Sequence, residues 1–207
     1  MSDLSKIYLF RMTHILNIKH ILKFGITHRT STNSNPNFVA IGDNSLISTR
    51  NTKPLPNGSM LGDFIPFYFG IRTPMLYVIQ KGYNGNQITN AEDIVYCITS
   101  VEQIIKHKLD FFFTNGHAVD SLSDIFQFSD IQDIETIVDF NATKVKIWKS
   151  DLDTDLKRRK EAEFLVRQDV PNTAIIGFAV FNQKAKETLK SLNIEESSIV
   201  IKQNYYF

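Results

Sequence analysis

Cysteine is all but missing from this chain. Cys97 is the only one among 207 residues, and it sits in the apolar run Ile94-Val-Tyr-Cys-Ile-Thr. One thiol excludes an intrachain disulfide and a thiolate zinc site, and its apolar neighbours mark a core position rather than a nucleophile. Membrane-length runs are missing too, since no segment approaches the about 20 apolar residues that span a bilayer. The N-terminal Met1-Ser-Asp-Leu-Ser-Lys lacks the apolar segment of a secretory leader, so a cytoplasmic protein with no membrane contact is expected. Low-complexity segments and internal repeats are absent. So are the familiar catalytic signatures. Without GxGxxG or GxxxxGK there is no common phosphate loop. The histidines, at positions 14, 20, 28, 107 and 117, form no HExxH pair, which argues against a zinc hydrolase. No GxSxG elbow supports a Ser-His-Asp triad. The net charge is only +1, so a nucleic acid would be met by a local basic patch and not by a global field.

What is present describes an ordinary globular protein. Apolar residues make up 43% and charged residues 22%, as in typical soluble domains. The length suits one domain with a sizeable core and is short for two. Sixteen Phe and seven Tyr stand out. Most belong in the core, and the rest are free to stack on bases.

Along the chain, Lys6 to Met12 reads as a strand. Thr13 is placed to cap a helix that puts Ile15, Ile18 and Leu22 on one face and stops at Gly25. Residues 27–59 are rich in Asn, Ser, Thr, Pro and Gly, without periodicity, charge block or repeat. A segment of that length and character is expected to be a binding loop. The aromatic run Phe64 to Ile79 contains two prolines, which rules out one continuous helix. Ile94 to Thr99 reads as a buried strand. Ser100 and Gln103 form a capping-box pattern. Asp110 to Thr114 reads as a strand closed by the turn Asn115-Gly116. Ser121 to Phe128 and Gln132 to Val138 read as short helices. Thr143 to Trp148 alternates like a strand, and Ser150 to Lys157 is a charged loop. Glu161 to Arg167 and Ala174 to Val180 read as core strands. Asn182 caps a helix over Gln183 to Leu192, and Ile199 to Lys202 closes the sheet. Short strands and helices without a βαβ repeat give an α+β fold.

Polar residues in or beside apolar strands are the candidates for chemistry. In Glu161-Ala-Glu-Phe-Leu-Val, alternation puts Ala162, Phe164 and Val166 on one face and Glu161, Glu163 and Leu165 on the other. Two readings follow. Either both glutamates lie on a solvated face, or both faces are covered and a carboxylate there needs partners. His14 reads as a helix-start histidine, Arg50 and His117 as surface residues, and Lys157 to Lys160 as a solvated basic face. Pattern alone does not separate these readings from functional ones.

Four blocks taken together change the weighing. They are Tyr8-Leu-Phe-Arg-Met-Thr-His-Ile with the Asn17-Ile18 helix start, Gly62-Asp-Phe-Ile-Pro-Phe-Tyr-Phe-Gly-Ile-Arg-Thr-Pro-Met-Leu-Tyr, Asn115-Gly-His-Ala, and Arg158-Arg-Lys-Glu-Ala-Glu-Phe-Leu-Val followed by Val170-Pro171. In this order the chain resembles the DarT family, DNA ADP-ribosyltransferase toxins of bacterial toxin–antitoxin pairs. The resemblance implies an ADP-ribosyltransferase-like fold over 1–207: two small, roughly orthogonal mixed β-sheets flanked by short helices, with the 27–59 loop serving NAD. It implies Glu163 and Arg50 as the catalytic pair, and His14, Thr13, Asn17, Tyr68 and Arg50 as the NAD-binding set. His117, Trp148, Lys149, Arg158 and Arg159 would meet the DNA, with residues 149–157 as the recognition loop. The implied reaction moves ADP-ribose from NAD, a co-substrate, to a base of single-stranded DNA. It needs no metal, releases nicotinamide and blocks replication. A cognate ADP-ribosyl-DNA hydrolase is the implied antitoxin, and the protein is expected to be a monomer. Arg11 departs from the histidine expected there, Ile71 from the expected proline, and Gln80-Lys-Gly-Tyr-Asn-Gly follows the second block. These departures lean toward guanosine over thymidine as acceptor. The rivals are an RNA or protein acceptor, or a non-catalytic nucleic-acid-binding module on the same fold.

Overall fold

Residues 2–207 are described by a computed structural model; Met1 lies outside them. The strands are β1 (Tyr8–His14), β2 (Ile65–Tyr68), β3 (Ile94–Ser100), β4 (Phe111–Thr114), β5 (Ile125–Phe126), β6 (Glu163–Val166), β7 (Gly177–Val180) and β8 (Ile199–Ile201). The helices are α1 (Ile18–Phe24), α2 (Asn44–Thr52), α3 (Pro74–Lys81), α4 (Val101–Lys106), α5 (Ile134–Ile137), α6 (Phe140–Lys144), α7 (Leu156–Lys160) and α8 (Gln183–Lys190).

Among the described residues the strands form one sheet in the order β5-β4-β6-β2-β1-β3-β7-β8. Its pairing is uneven. β1 and β3 run in register from Tyr8↔Ser100 to His14↔Ile94. β1 and β2 share a single registered pair, Phe10↔Tyr68. The two expected sheets are thus two halves of one mixed sheet, joined at a narrow rung. Ladder hydrogen bonds close the space between paired strands. Where the ladder lapses, beyond Phe10, a cleft has room to open.

Local signals place many of the ends. Gly25 stops α1 at φ 81°. A Cβ there would lie 2.1 Å from the Val170 carbonyl oxygen, because Ile26 pairs with Val170 immediately after the turn. The Ser100 hydroxyl caps α4 by accepting from Gln103 N–H, and Asn182 Oδ1 caps α8 by accepting from Ala185 N–H. Thr73 followed by Pro74 opens α3.

Four expectations are corrected. Thr143 to Trp148 is not a strand: Asp139 Oδ1 accepts from Ala142 N–H at 2.9 Å and starts α6, which runs to Lys144. No strand lies beside that segment, so its alternation finds no ladder. Ser121 to Phe128 is not a helix: Ile125–Phe126 pair with β4 through Phe113↔Phe126. Segment 27–59 contains helix α2, capped by Asp43 Oδ1, which accepts from Ser45 N–H at 2.8 Å. At the first helical turn the cap is His14, whose Nδ1 accepts from Leu16 N–H at 3.2 Å, and not Thr13.

The core settles the two readings of β6. Phe164 and Val166 enter the main apolar cluster with Leu9, Phe67, Val95 and Phe113. Leu165 enters a separate cluster with Leu55, Leu61, Phe64 and Ala118. Both faces of the strand are covered. Burying a phenylalanine such as Phe164 contributes about 2 kcal/mol. It also takes Glu163, on the Leu165 face, out of water.

Candidate active site

Glu163 is fully buried. It begins β6, and its N–H donates to Thr114 Oγ1 at 3.0 Å, while the Thr114 hydroxyl donates to the Gly116 carbonyl at 2.6 Å. That hydroxyl folds the turn after β4 back over the carboxylate. Ala118 N–H then donates to Glu163 Oε1 at 2.9 Å. On the other side, α2 delivers Arg50 from its last turn, and Nη1 donates to Oε2 at 2.8 Å. The carboxylate therefore has one charge-assisted and one backbone partner, with lone pairs left for a substrate hydroxyl. A buried carboxylate requires such partners. The second Arg50 amino group, Nη2, is buried and has no protein partner. It is a donor awaiting an acceptor.

His117 Nε2 lies 3.9 Å from Glu163 Oε1, too far for a hydrogen bond. Burial lowers its pKa and favours the neutral imidazole, against the opposing pull of the Glu163 charge. Tyr68 faces Glu163 directly across the β2–β6 ladder. Burial first, and the Glu163 charge second, hold its phenol well above the ordinary range, so it acts only as a hydrogen-bonding group.

A cavity of about 400 Å³ opens where β1 and β2 part, and Arg11, Thr13, Asn17, Arg50, Tyr68 and His117 are among the residues that line it. Glu163 reaches this wall through Arg50, which is hydrogen-bonded to its carboxylate, with His117 3.9 Å away. His14 caps the first helical turn and is not part of the lining. Asn17 has a distinct task. Its side-chain amide donates to the Val39 carbonyl at 2.8 Å and accepts from Val39 N–H at 2.9 Å, and it also donates to Thr13 Oγ1 at 3.0 Å. It ties segment 27–59 to β1 as a missing strand would.

Arg11, which departs from the expected motif, lines the cavity, and its guanidinium donates to the Pro66 carbonyl at 2.9 Å. Burial brings its pKa down to about 10. Among the described residues it has no carboxylate partner. Strand alternation gives no signal for it, since Arg11, Met12 and Thr13 all line the cavity.

The expected DNA-side residues fall into two groups. His117 and Lys149 are available, the latter as an exposed cation. Trp148 packs edge-on against Tyr77 and Phe207, at 5.8 and 5.6 Å between ring centroids. Arg158 is held by both oxygens of Asp155, at 2.6 and 2.8 Å, and by Asn115 and Ser123. Arg159 is paired with Asp139, Asp153 and Asp155. Both arginines fasten the end of the charged loop rather than standing free. Among the described residues no group of His, Cys, Asp and Glu is placed to hold a metal ion.

The family described as "ssDNA thymidine ADP-ribosyltransferase, DarT" matches residues 10–207. A DNA ADP-ribosyl transferase from Thermus sp. (strain 2.9) is 32% identical over 96% of this chain and 95% of its own length. A DNA ADP-ribosyl transferase-DNA ADP-ribosyl glycohydrolase fusion protein from Thermosipho africanus is 27% identical, matching 96% of this chain and 49% of its own. The structure of Thermus sp. 2.9 DarT with ADP-ribosylated ssDNA superposes with a TM-score of 0.83 at 28% identity, covering 97% of this chain and 96% of that one. The same protein with NAD+ gives 0.80 at 27% identity, covering 100% and 99%.

Proposed function

The chain belongs to the DarT family, and from that premise we propose that it transfers ADP-ribose from NAD to a base of single-stranded DNA and releases nicotinamide. The observation that carries this reading is the buried Glu163 carboxylate, held by Arg50 and Ala118 N–H at the wall of the cavity. In this reaction the bond from ribose C1′ to the nicotinamide nitrogen breaks. The electron pair leaves with nicotinamide, which becomes neutral, and C1′ gains oxocarbenium character as in glycoside hydrolysis. Glu163 accepts a ribose hydroxyl and stabilises that charge. A base nitrogen forms the new bond to C1′, and the carboxylate takes its proton. The unpartnered Arg50 Nη2 fits an NAD oxygen.

The NAD-side set is Arg11, Thr13, Tyr68 and Arg50, with Asn17 placing segment 27–59 and His14 shaping the end of β1. His117, Trp148 and Lys149 serve the acceptor side, and Arg158 and Arg159 hold its loop in shape. The whole chain acts as one catalytic domain. Of the residues behind the guanosine expectation, Arg11 lines the cavity and Ile71 packs with the cluster around Tyr96 and Tyr206. The matched family is described by thymidine, so thymidine is the acceptor we place first. An adduct on a template base obstructs pairing and so blocks replication. The Thermosipho fusion supports a partner enzyme that removes ADP-ribose, and a toxin–antitoxin role in the cytoplasm follows.

The test is mass spectrometry of single-stranded oligonucleotides of varied sequence after reaction with NAD. An added ADP-ribose on thymidine-containing strands is expected. Addition only to guanosine strands moves the acceptor. Label appearing only in RNA or protein pools, or in none, overturns the reading.

A further inference from the structure

Between Val145 and Asp155 the chain has no strand partner among the described residues, and apart from Trp148, which packs on Tyr77 and Phe207, its middle is bare. Ile147 and Leu152 are 76% and 100% exposed, and Lys146 and Lys149 are exposed as well. Both ends are nevertheless held. Arg158 and Arg159 fasten the far end through Asp153 and Asp155. The near end is fastened by a residue that belonged, in the sequence, to a solvated basic cluster.

Lys160 closes α7 and is fully buried. An ammonium has three N–H donors, and backbone carbonyls take all of them: Val145 at 2.7 Å, Thr143 at 3.2 Å and Ile71 at 3.3 Å. Ile71 lies just past the end of β2, whose Tyr68 faces Glu163. Thr143 and Val145 form the end of α6 and the start of the bare stretch. Lys160 itself stands three residues before Glu163. One ammonium thus ties the 143–145 segment, which has no ladder of its own, to the ends of the paired strands β2 and β6. Gly70 permits the close approach, since a Cβ there would lie 2.3 Å from the Thr143 carbonyl oxygen. Among the described residues no carboxylate is ion-paired with Lys160. Burying an ammonium is costly, and an apolar side chain of similar length would fill the site more cheaply. Carbonyl geometry is what the ammonium supplies in return.

We propose that Lys160 is a positioning residue for the transfer to DNA: it fixes Thr143 and Val145 against the end of β2 and so sets where the 145–155 stretch presents the acceptor base to the ribose at Glu163. This rests on the proposed reaction. Lys160 touches neither substrate. A displacement of about 1 Å at the reacting atoms costs on the order of a hundredfold in rate, so the pin acts on transfer and not on NAD binding.

The test uses the full chain with Lys160→Met, Lys160→Arg and Gly70→Ala. The last displaces the Thr143 carbonyl without touching the lysine. NAD affinity is read by calorimetry, and transfer by single-turnover rate on an oligonucleotide that the parent modifies. Lys160→Met is expected to lose about 10- to 100-fold in transfer rate with NAD affinity within about threefold. Gly70→Ala should show the same split, and Lys160→Arg should recover part of the rate. Transfer unchanged in Lys160→Met, or transfer and NAD affinity falling together in every folded variant, overturns the proposal. If Lys160→Met does not fold, Gly70→Ala decides, and retention of full transfer there is the overturning result. A parent that binds NAD but modifies no oligonucleotide overturns the function itself, and that result is read before any variant is made.

Discussion

Segments 27–59 and 145–155 are both polar connections beside the cleft, but they are fastened differently. The first is tied along its length. His28 N–H and the Ser31 hydroxyl donate to Asp169, and the His28 ring meets the Gly62 carbonyl. Asn17 holds Val39, Asn84 holds Asp43, Arg50 meets Glu163, and Lys53 donates to the Asp120 carbonyl. The second is tied at its ends and, between them, by Trp148 alone, which packs on Tyr77 and Phe207. The difference follows the substrates they are proposed to serve. NAD is one molecule of fixed shape, so a pre-formed wall lowers the cost of binding it. A single strand varies in sequence, and a stretch free in its middle can adapt to it.

The comparison breaks most completely at Glu163, where the tied segment meets the chemistry. Glu163→Gln keeps the shape and removes the charge that Arg50 pairs with. Transfer should fall by about 10³-fold while the circular dichroism spectrum is retained. A variant with parental rate would remove the carboxylate from the mechanism. Asn17→Ala unfastens Val39 without touching the reacting atoms. It should raise the KM for NAD about tenfold, roughly 1.4 kcal/mol for the lost bonds, and leave the KM for DNA unchanged. Equal rises in both constants would show that the two segments are not independent.

A third change sharpens the comparison at the joint between the segments. Burial raises the Glu161 carboxyl to about 7, with Lys157 opposing and Glu163 adding to the effect. The folded state then binds more protons than the unfolded chain between the ordinary carboxylate range and about 7. Stability from this group is full at low pH and lost as pH rises through about 7. Glu161→Gln should therefore be more stable than the parent at pH ~8 by up to about 3 kcal/mol and no more stable at pH ~4. Thermal melts at both values check the sign. The smallest effect belongs to the untied middle. Replacing Lys146 and Lys149 together by alanine should raise the KM for DNA about threefold and lower the salt slope by roughly 1.4, as two single-strand phosphate contacts require. An unchanged slope would place the phosphates elsewhere.

What the sequence disclosed follows the same division. Gly25, Ser100 and Asn182 mark their helix ends because each satisfies a local rule within four residues. The strands of the large core announce themselves because their partners are also apolar. Helix α2 is hidden, since its Asn, Ser and Thr residues form no apolar stripe and only Asp43 and tertiary contacts hold it. Thr143 to Trp148 misleads because period-two alternation is a property of the segment, whereas a strand also needs a neighbour. Glu163 is indistinguishable from Glu161 by alternation. What separates them is the Thr114 turn, which carries Ala118 to one carboxylate and not the other. Lys160 and Arg11 are illegible for a related reason: charged residues read as surface until long-range carbonyls and a cleft are seen around them.

The lone thiol has a practical corollary. Cys97 is buried, and burial pushes its pKa up to about 12, so it stays protonated and inert toward alkylating probes near neutrality. The parent protein is in effect already a blank for thiol chemistry. A Leu152→Cys substitution, at a fully exposed site on the untied stretch, would create a single addressable handle. A dye or spin label attached there would follow that stretch as DNA arrives, with no cysteine to remove first.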